Sequence, residues 1–220
     1  MRTSFADPQD SKSGRHAPAS GFGPRIVSNE ERMIAGLCAG DLDARARFFD
    51  LYAGDVRRIL LRVLGSDVEL ADLVQEVFLR AMTGIERLDD PSTLRSWLTG
   101  IAVFTARECI RRRQRRRWLV FLPNENLPEP EPGTAGADSD ASEALAATYR
   151  ILGRMGVDER IAFTLRFIDG MELTQVAEAC DTSVSTIKRR LAAAERRFLA
   201  HARQHPALAE WIRRGRWSEE

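Results

Sequence analysis

The chain has 220 residues, of which 44% are hydrophobic, and its 33 basic and 32 acidic residues leave a formal net charge of +1. This length allows one large domain or two small ones, each with a modest hydrophobic core. No apolar run approaches the roughly 20 residues that span a bilayer, and the N-terminus lacks the features of a signal peptide, so we expect a cytoplasmic protein without membrane insertion.

The N-terminal segment, residues 1–28, is rich in Ser, Gly, Pro and Asp and is predicted to be a disordered leader. Residues 29–120 form the first predicted helical domain. From Leu42 onward, apolar residues recur three and four positions apart, which is the pattern of a helix with one buried stripe. Gly65 is expected to end this helix.

A second helix is predicted to follow at once, because Ser66 and Glu69 have the spacing of a capping box. A loop over residues 83–93, with Pro91 near its end, leads to a third helix. The predicted buried positions of the third helix are Leu94, Trp97, Leu98, Ile101, Ala102 and Thr105.

The third helix runs into an arginine-rich segment, RECIRRRQRRRW, residues 107–118. Because a helix repeats every 3.6 residues, these arginines surround the helix end rather than share one face. One or two arginines could stabilise the negative C-terminal end of the helix dipole, but so many like charges favour a phosphate-binding surface. A membrane surface is the lesser alternative, since the segment lacks interleaved apolar residues.

Residues 121–142 are acidic and proline-rich and are predicted to be a flexible linker. The second predicted domain, residues 143–204, contains a short helix around Ala177, a turn at Asp181 and a longer helix for which Ser183 is the expected N-cap. This pattern is that of a helix-turn-helix, although an ordinary helical hairpin with a basic face would look similar. No window alternates as a strand does, so the predicted fold is all-α, with two small helical domains joined by the linker.

The longer helix has two predicted faces. Val184, Ile187, Leu191, Ala194 and Phe198 form its buried stripe. Small and basic residues lie on the other side and on the flanks, where base edges and phosphates would be reached. These are Ser185, Thr186, Lys188, Arg189, Arg190 and Arg196.

The two domains together resemble a known protein family. The segments ADLVQEVFLRAM, RSWLTGIA and GVDERIAFTLRFIDGMELTQVAEACDTSVSTIKRRLAAAERRF are similar to those of bacterial RNA polymerase sigma factors of the extracytoplasmic-function class, which keep regions two and four. The resemblance covers about residues 42–117 and 145–200. It implies a promoter-specificity subunit without catalysis of its own, whose partners are core RNA polymerase, promoter DNA and an anti-sigma factor.

The resemblance also implies roles for residues of the first domain. Those matching the polymerase-docking segment are Asp72, Gln75, Glu76 and Arg80, with Phe78 facing the core. The loop 83–93 matches the segment that captures a flipped base of the minus-ten element, which needs a pocket and phosphate contacts. The residues that would read or hold that element are Trp97, Arg107, Arg111, Arg112, Arg113, Arg115 and Arg116.

In the second domain, the resemblance places Ser185, Thr186, Lys188, Arg189 and Arg190 in the major groove of the minus-thirty-five element, and Arg196 is predicted to join them. The linker matches a segment that passes through the polymerase channels, although a simple tether explains its composition equally well.

The chain departs from the family at two informative places. Where the family commonly has Ile-Ala-Arg-Asn, this chain has Ile-Ala-Val-Phe, ending at Val103 and Phe104, which bears on promoter preference. Asp181 lies where glycine is frequent in a helix-turn-helix, and Asp tolerates the left-handed conformation better than most residues.

Two other functions are compatible with parts of the sequence. A stand-alone helix-turn-helix regulator would bind DNA without polymerase, but it leaves the first domain unexplained. A nucleic-acid enzyme would need a metal site, and Asp89 and Asp90 have no supporting carboxylate or histidine at a suitable spacing. The three cysteines and three histidines form no metal-binding motif either. We therefore expect no enzyme activity, metal, cofactor or small-molecule substrate.

The last segment, residues 205–220, is predicted to be an amphipathic extension. Leu208, Trp211 and Ile212 share one side of it and arginines the other. Packing against the second domain is the expected role, with a regulator or DNA contact as alternatives.

Overall fold

The computed structural model of the chain describes residues 28–65, 68–119, 139–206 and 208–209. These residues form eight α-helices with short 3₁₀ and π turns, and no strand occurs in those ranges. The prediction of an all-α fold is confirmed. The predicted leader up to residue 27, most of the linker and the end of the C-terminal extension lie outside the described residues.

The first domain opens with two capped helices. Helix α1, Asn29–Cys38, begins with a capping box in which Ser28 Oγ accepts from the Glu31 amide at 3.0 Å and Glu31 Oε2 accepts from the Ser28 amide at 2.8 Å. Helix α2, Leu42–Leu64, ends at Gly65 as predicted, with φ at 69° in the left-handed region that glycine adopts readily.

Helix α3 spans Leu70–Gly84, so the predicted capping box of Ser66 with Glu69 is wrong. Glu69 occupies the cap position itself, makes no capping hydrogen bond, and points its carboxylate at Arg113 instead. The carboxylate binds the positively charged Arg113 and not a backbone amide at the helix start, because a charge-assisted hydrogen bond is the stronger one. Ser66 lies outside the described residues.

After α3 come two 3₁₀ turns, Ile85–Arg87 and Pro91–Thr93, and then helix α4, Leu94–Leu119. Helix α4 continues through the arginine-rich segment, as the sequence predicts. Its buried residues interlock with those of α2 and α3 around Phe48 and Phe78, whose rings pack edge to face with centroids 5.2 Å apart.

The second domain contains four helices. They are α5, Ser139–Leu152; α6, Val157–Phe163; α7, Leu173–Ala179; and α8, Val184–Ala202, with a π-helical turn at Thr164–Ile168 after α6. Helix α5 begins inside the segment predicted as linker. A local core around Ile151, Phe163 and Phe198 also buries Leu208, which belongs to the predicted C-terminal extension.

The two domains pack against each other. One continuous cluster of buried side chains extends from α2, α3 and α4 of the first domain to Ile161, Leu165 and Ile187 of the second. The sequence predicts two helical domains but not this shared core. Tyr149 and Arg160 of the second domain also donate hydrogen bonds to the last three carbonyls of α2. The docking matters for function because it brings the helix-turn-helix next to α4.

Candidate nucleic-acid and polymerase interfaces

Helices α7 and α8 form the predicted helix-turn-helix. Asp181, in the turn between them, adopts a left-handed conformation with φ at 50°. Ser183 caps α8, and its Oγ accepts a hydrogen bond from the Thr186 amide at 3.2 Å. Ala177 is buried between the two helices. The predicted turn and N-cap are therefore confirmed.

Helix α8 turns a polar and basic face to solvent. Its buried stripe includes Ile187, Leu191, Ala194 and Phe198, as the periodicity predicts. The predicted DNA contacts that are exposed are Ser185, Lys188, Arg189 and Arg196. Ser185, Arg189 and Arg196 lie opposite the stripe and Lys188 lies on its flank, so the face is free to enter a groove of DNA.

Two of the predicted α8 contacts are engaged within the protein. The Thr186 hydroxyl lies 2.9 Å from Ser183 Oγ, at the helix start. Arg190 is half-buried and pairs with Asp158 of α6, with 3.5 Å between Arg190 Nη2 and Asp158 Oδ2.

The α4 arginines that are predicted to contact the minus-ten element divide into two sets. Arg111, Arg115 and Arg116 are exposed. The others bind carboxylates: Arg107 Nε donates to Asp158 Oδ1 at 3.0 Å, Arg113 donates twice to Glu69 Oε2 at 3.1 and 3.0 Å, and Arg112 lies 3.7 Å from Glu69 Oε1. Sequence reasoning treated the segment as one phosphate-binding surface. In the structure, part of it fastens helix α4 to its neighbours.

Glu69 is the carboxylate that balances this charge in the first domain. Burial acts to raise its pKa, but the hydrogen bond and positive charge of Arg113 outweigh burial and lower the pKa overall. Glu69 therefore stays ionised to a lower pH than an ordinary glutamate, and the two arginines beside it keep a counter-charge.

A cleft of about 560 Å³ lies beside the predicted minus-ten residues. Trp97 and Phe104 of α4 line it, together with the 178–181 segment of the helix-turn-helix. Trp97 is half-buried rather than part of the core, and Phe104 is 46% exposed. Two aromatic rings accessible from a cleft form a surface on which an unpaired base could stack.

The predicted polymerase-binding residues also divide into two sets. Asp72 and Gln75 are exposed on α3. Arg80 binds Glu76 and Glu108, each at 2.5 Å, and its guanidinium lies 5.0 Å from the centre of the Phe104 ring. Although burial disfavours its charge, these two carboxylates raise the pKa of Arg80. Arg80 thus holds α3 to α4 through Glu108, while its pair with Glu76 lies within α3.

An apolar groove between α2 and α3 was missed by sequence reasoning. Its lining includes the apolar residues Phe49, Ala53, Leu70 and Val74 and also Gln75. Phe49 is 41% exposed, and its ring centroid is 4.8 Å from that of Phe78. The pair Phe48–Phe49 was the available signal, because adjacent helical residues cannot both face one core.

Family comparisons match both domains. Residues 48–116 match the sigma-70 region 2 family, and residues 145–198 match the sigma-70 region 4 family. Over 180 residues the chain is 33% identical to the extracytoplasmic-function (ECF) RNA polymerase sigma factor SigC of Mycobacterium tuberculosis, covering 80% of this chain and 95% of that protein. The chain belongs to the ECF sigma factors of the sigma-70 family.

Other relatives of this sigma factor agree. It is 28% identical over 176 residues to SigW of Bacillus subtilis, covering 73% of this chain and 90% of that protein. It is 26% identical over 169 residues to the sigma-E factor of Haemophilus influenzae, with coverages of 74% and 89%. As a sigma factor it acts with RNA polymerase in promoter recognition, and the alternative of a stand-alone regulator is not supported.

Solved structures share the fold. CnrH, solved with the cytosolic domain of CnrY, aligns with a TM-score of 0.52 at 20% identity, over 77% of this chain and 94% of that one. The sigma factor RpoE of Bartonella quintana, solved with the anti-sigma factor NepR, aligns with a TM-score of 0.51 at 20% identity, over 70% and 92%. In the part of this sigma factor that the structure describes, no helix has the length and apolarity to cross a bilayer.

Proposed function

We propose that this sigma factor reads the minus-thirty-five element with the exposed face of α8 and the minus-ten element with α4. The observation that carries the proposal is the solvent-facing set of Ser185, Lys188, Arg189 and Arg196, which follows directly after the capped turn of the helix-turn-helix. The N-terminal part of such a helix reaches base edges, and its basic residues bind phosphates.

For the minus-ten element, we infer that an extruded base enters the cleft between Trp97 and Phe104. The exposed arginines Arg111, Arg115 and Arg116 would hold the DNA backbone beside it, while Arg107, Arg112 and Arg113 would have to exchange a carboxylate for a phosphate before doing so. Phe104 offers a ring face and no hydrogen-bonding group. Recognition at this position then depends on stacking and favours no particular base edge.

Core polymerase is proposed to dock on α3 and the apolar groove beside it. Asp72 and Gln75 provide the polar contacts, and the Phe49 ring provides the apolar contact, since an exposed ring at a groove is typical of an interaction surface. Arg80 would act indirectly by fixing α3 against α4 through Glu108, and Glu76 by positioning Arg80. The sigma factor would work in the cytoplasm, as a regulator and not as an enzyme.

Run-off transcription from genomic DNA fragments with purified core polymerase, followed by mapping of the start sites, tests the proposal and identifies the promoters. Arg189→Ala should then reduce initiation at promoters that depend on the upstream element by about tenfold, the loss of one base or phosphate contact. Arg150→Ala is the matched control, because Arg150 is an exposed arginine of the same domain on α5. Equal initiation by both variants would refute the role of α8.

An anti-sigma partner is also proposed. CnrH and RpoE were each solved with another protein, the CnrY cytosolic domain and the anti-sigma factor NepR. A protein of this class is expected to suppress run-off transcription when it is added before polymerase. Suppression that is equally strong after the holoenzyme has formed would contradict a competition with polymerase for the free sigma factor.

A further inference from the structure

Helix α3 touches both aromatic rings of the cleft beside the proposed minus-ten surface. At its last residue, a Cβ atom added to Gly84 would lie 3.3 Å from Trp97 Cζ2, so a side chain at this position would press on the indole ring. One turn earlier, the Arg80 guanidinium lies over the Phe104 ring, 5.0 Å from its centre. The shape of the cleft therefore depends on a helix whose other end carries the exposed residues proposed to meet polymerase.

Phe104 needs support because its ring lies at an open surface. The residue is 46% exposed, whereas its neighbour Val103 is fully buried in the core. An exposed side chain exchanges between staggered rotamers, and each rotamer directs the ring to a different place along the cleft. A ring that is already held in one orientation loses less entropy when a base stacks on it.

Arg80 is itself held by carboxylates of two helices. Its Nη2 atom lies 2.5 Å from Glu76 Oε1, one turn earlier on α3, and 2.5 Å from Glu108 Oε2 of α4. Glu108 follows Phe104 by four positions, and residues at this spacing are neighbours on a helix surface. The carboxylate that binds the guanidinium and the ring that lies beneath it therefore belong to the same face of α4.

The contact between guanidinium and ring has the geometry of a cation–π interaction. A cation is attracted to the negative face of an aromatic ring, and at a partly exposed site this favours the held orientation about two- to fivefold. Arginine suits the position because its planar, weakly hydrated guanidinium can lie on a ring. Since Arg80 covers one face of the Phe104 ring, a base can stack on the other face.

We propose that Arg80 is a positioning residue for the minus-ten element, which acts by holding the Phe104 ring and not by contacting polymerase. The inference rests on the proposed function, in which an extruded base enters the cleft beside Phe104. It gives Arg80 a different role from the one that the family resemblance implies. Arg80 lies on the polymerase-docking segment, but its guanidinium faces α4 and lines the cleft.

The role of Arg80 depends on a departure of this chain from its family. Val103 and Phe104 stand where the family commonly has Arg-Asn. An amide reads a base edge through hydrogen bonds, whereas an aromatic ring offers stacking that every base accepts. Arg80 therefore governs how firmly a base is held and not which base edge is read. Its loss should weaken promoters with different minus-ten bases by similar factors.

The test is a double-mutant cycle on initiation. The variant Arg80→Ala with Glu108→Gln removes the cation and one of its carboxylates, so the net charge is unchanged. The matched control, Arg95→Ala with Asp55→Asn, does the same to another pair between α4 and a neighbouring helix, with 3.0 Å between Arg95 Nε and Asp55 Oδ2. Each is made with and without Phe104→Ala. Run-off transcription with core polymerase at mapped promoters measures initiation.

We expect Phe104→Ala to lower initiation about tenfold, which corresponds to the loss of one stacked base. The Arg80/Glu108 variant should lower initiation about fivefold when Phe104 is present and less than about twofold beside Phe104→Ala, because its effect passes through the ring. The Arg95/Asp55 control should change initiation by the same factor in both backgrounds. An Arg80/Glu108 effect that is equally large without the ring would overturn the inference.

Binding to core polymerase separates the two possible roles of Arg80. The Arg80/Glu108 variant should compete with fluorescein-labelled wild type for core polymerase within about twofold of unlabelled wild type, whereas Asp72→Ala with Gln75→Ala should compete less well. An equal loss in both variants would overturn the inference. If thermal unfolding shows that the Arg80/Glu108 variant does not fold, Arg80→Gln with Glu108→Gln keeps the side-chain length and takes its place, with the same expected factors.

The cycle also distinguishes this inference from the proposed function. Phe104→Ala that initiates as well as wild type would refute the proposed base contact and this inference with it. A strong effect of Phe104→Ala, beside an Arg80/Glu108 effect that does not depend on the ring, would refute the inference alone. Coupled effects at promoters that differ in their minus-ten bases would support both.

Discussion

Arg113 of α4 donates two hydrogen bonds to Glu69 at the start of α3, from Nε at 3.1 Å and from Nη2 at 3.0 Å, both to the same carboxylate oxygen. The pair joins the arginine-rich end of α4 to the helix beside it. Part of a segment that looks like a nucleic-acid binder is therefore structural. The division between structural and free arginines leads to the first two predictions.

Replacing Glu69 with Gln should lower the free energy of unfolding at pH 7 by about 1 kcal/mol, since one charge-assisted pair that is partly open to solvent is lost. Because the folded protein lowers the pKa of Glu69, its contribution is present above the ordinary value of 4.5 and is lost as the pH falls through the folded pKa. Urea unfolding at pH 7 and at about pH 3 measures this. A difference between wild type and variant that persists unchanged in acid would contradict it.

Replacing Arg115 and Arg116 with Ala should reduce the slope of log affinity against log salt for holoenzyme on promoter DNA by about 2, because both side chains are exposed and available to phosphates. The stability of the free chain should hardly change. Arg113→Ala is the informative comparison, since it should reduce stability through Glu69. If the double variant kept the wild-type slope, these arginines would not face DNA.

Asp181→Gly should stabilise the second domain by up to about 1 kcal/mol, because glycine adopts a positive φ without the strain of a side chain. Asp181→Val should destabilise it by at least as much, since a β-branched residue is poorly tolerated there. Thermal unfolding of the full chain measures both. A valine variant as stable as wild type would mean that the turn has another conformation in solution.

Thiol labelling at pH 8 should show one fast cysteine and two slow ones. Cys38 is exposed, whereas Cys109 and Cys180 are buried. Burial raises the pKa of Cys109, and it raises the pKa of Cys180 to about 11, so both remain protonated and unreactive. Mass spectrometry after a brief pulse of reagent identifies the labelled residue, and all three should react in urea. Rapid labelling of Cys180 in the native chain would contradict the buried position.

The features that the sequence predicted correctly depend on local chemistry. The end of α2 at Gly65, the turn at Asp181 and the cap at Ser183 each follow from the conformational preference of a residue and its near neighbours. The buried stripe of α8 follows from helical periodicity. The capping box predicted for Ser66 and Glu69 was inferred from equally local spacing. It is wrong because the Glu69 carboxylate binds Arg113, 44 positions away.

The features that the sequence did not predict depend on docking between distant segments. Asp158 is an ordinary acidic residue in the first turn of α6, and nothing within several positions indicates that it pairs with Arg107, 51 positions earlier. Arg160 likewise looks like a solvent-facing arginine until its contacts with the end of α2 are known. At the candidate sites, the family motifs indicated which helices to consider. Only the packing showed which of their residues bind other side chains of the protein and which are exposed.

The completion of α2 by Tyr149 and Arg160 also constrains how domains can be exchanged among relatives. A hybrid that joined this first domain to a foreign region 4 would leave three carbonyls at the end of a 23-residue helix bonded to water instead of to protein donors, unless the new domain brought an equivalent phenol and guanidinium. The promoter preference of the sigma factor and the docking of its two domains are thus inherited together.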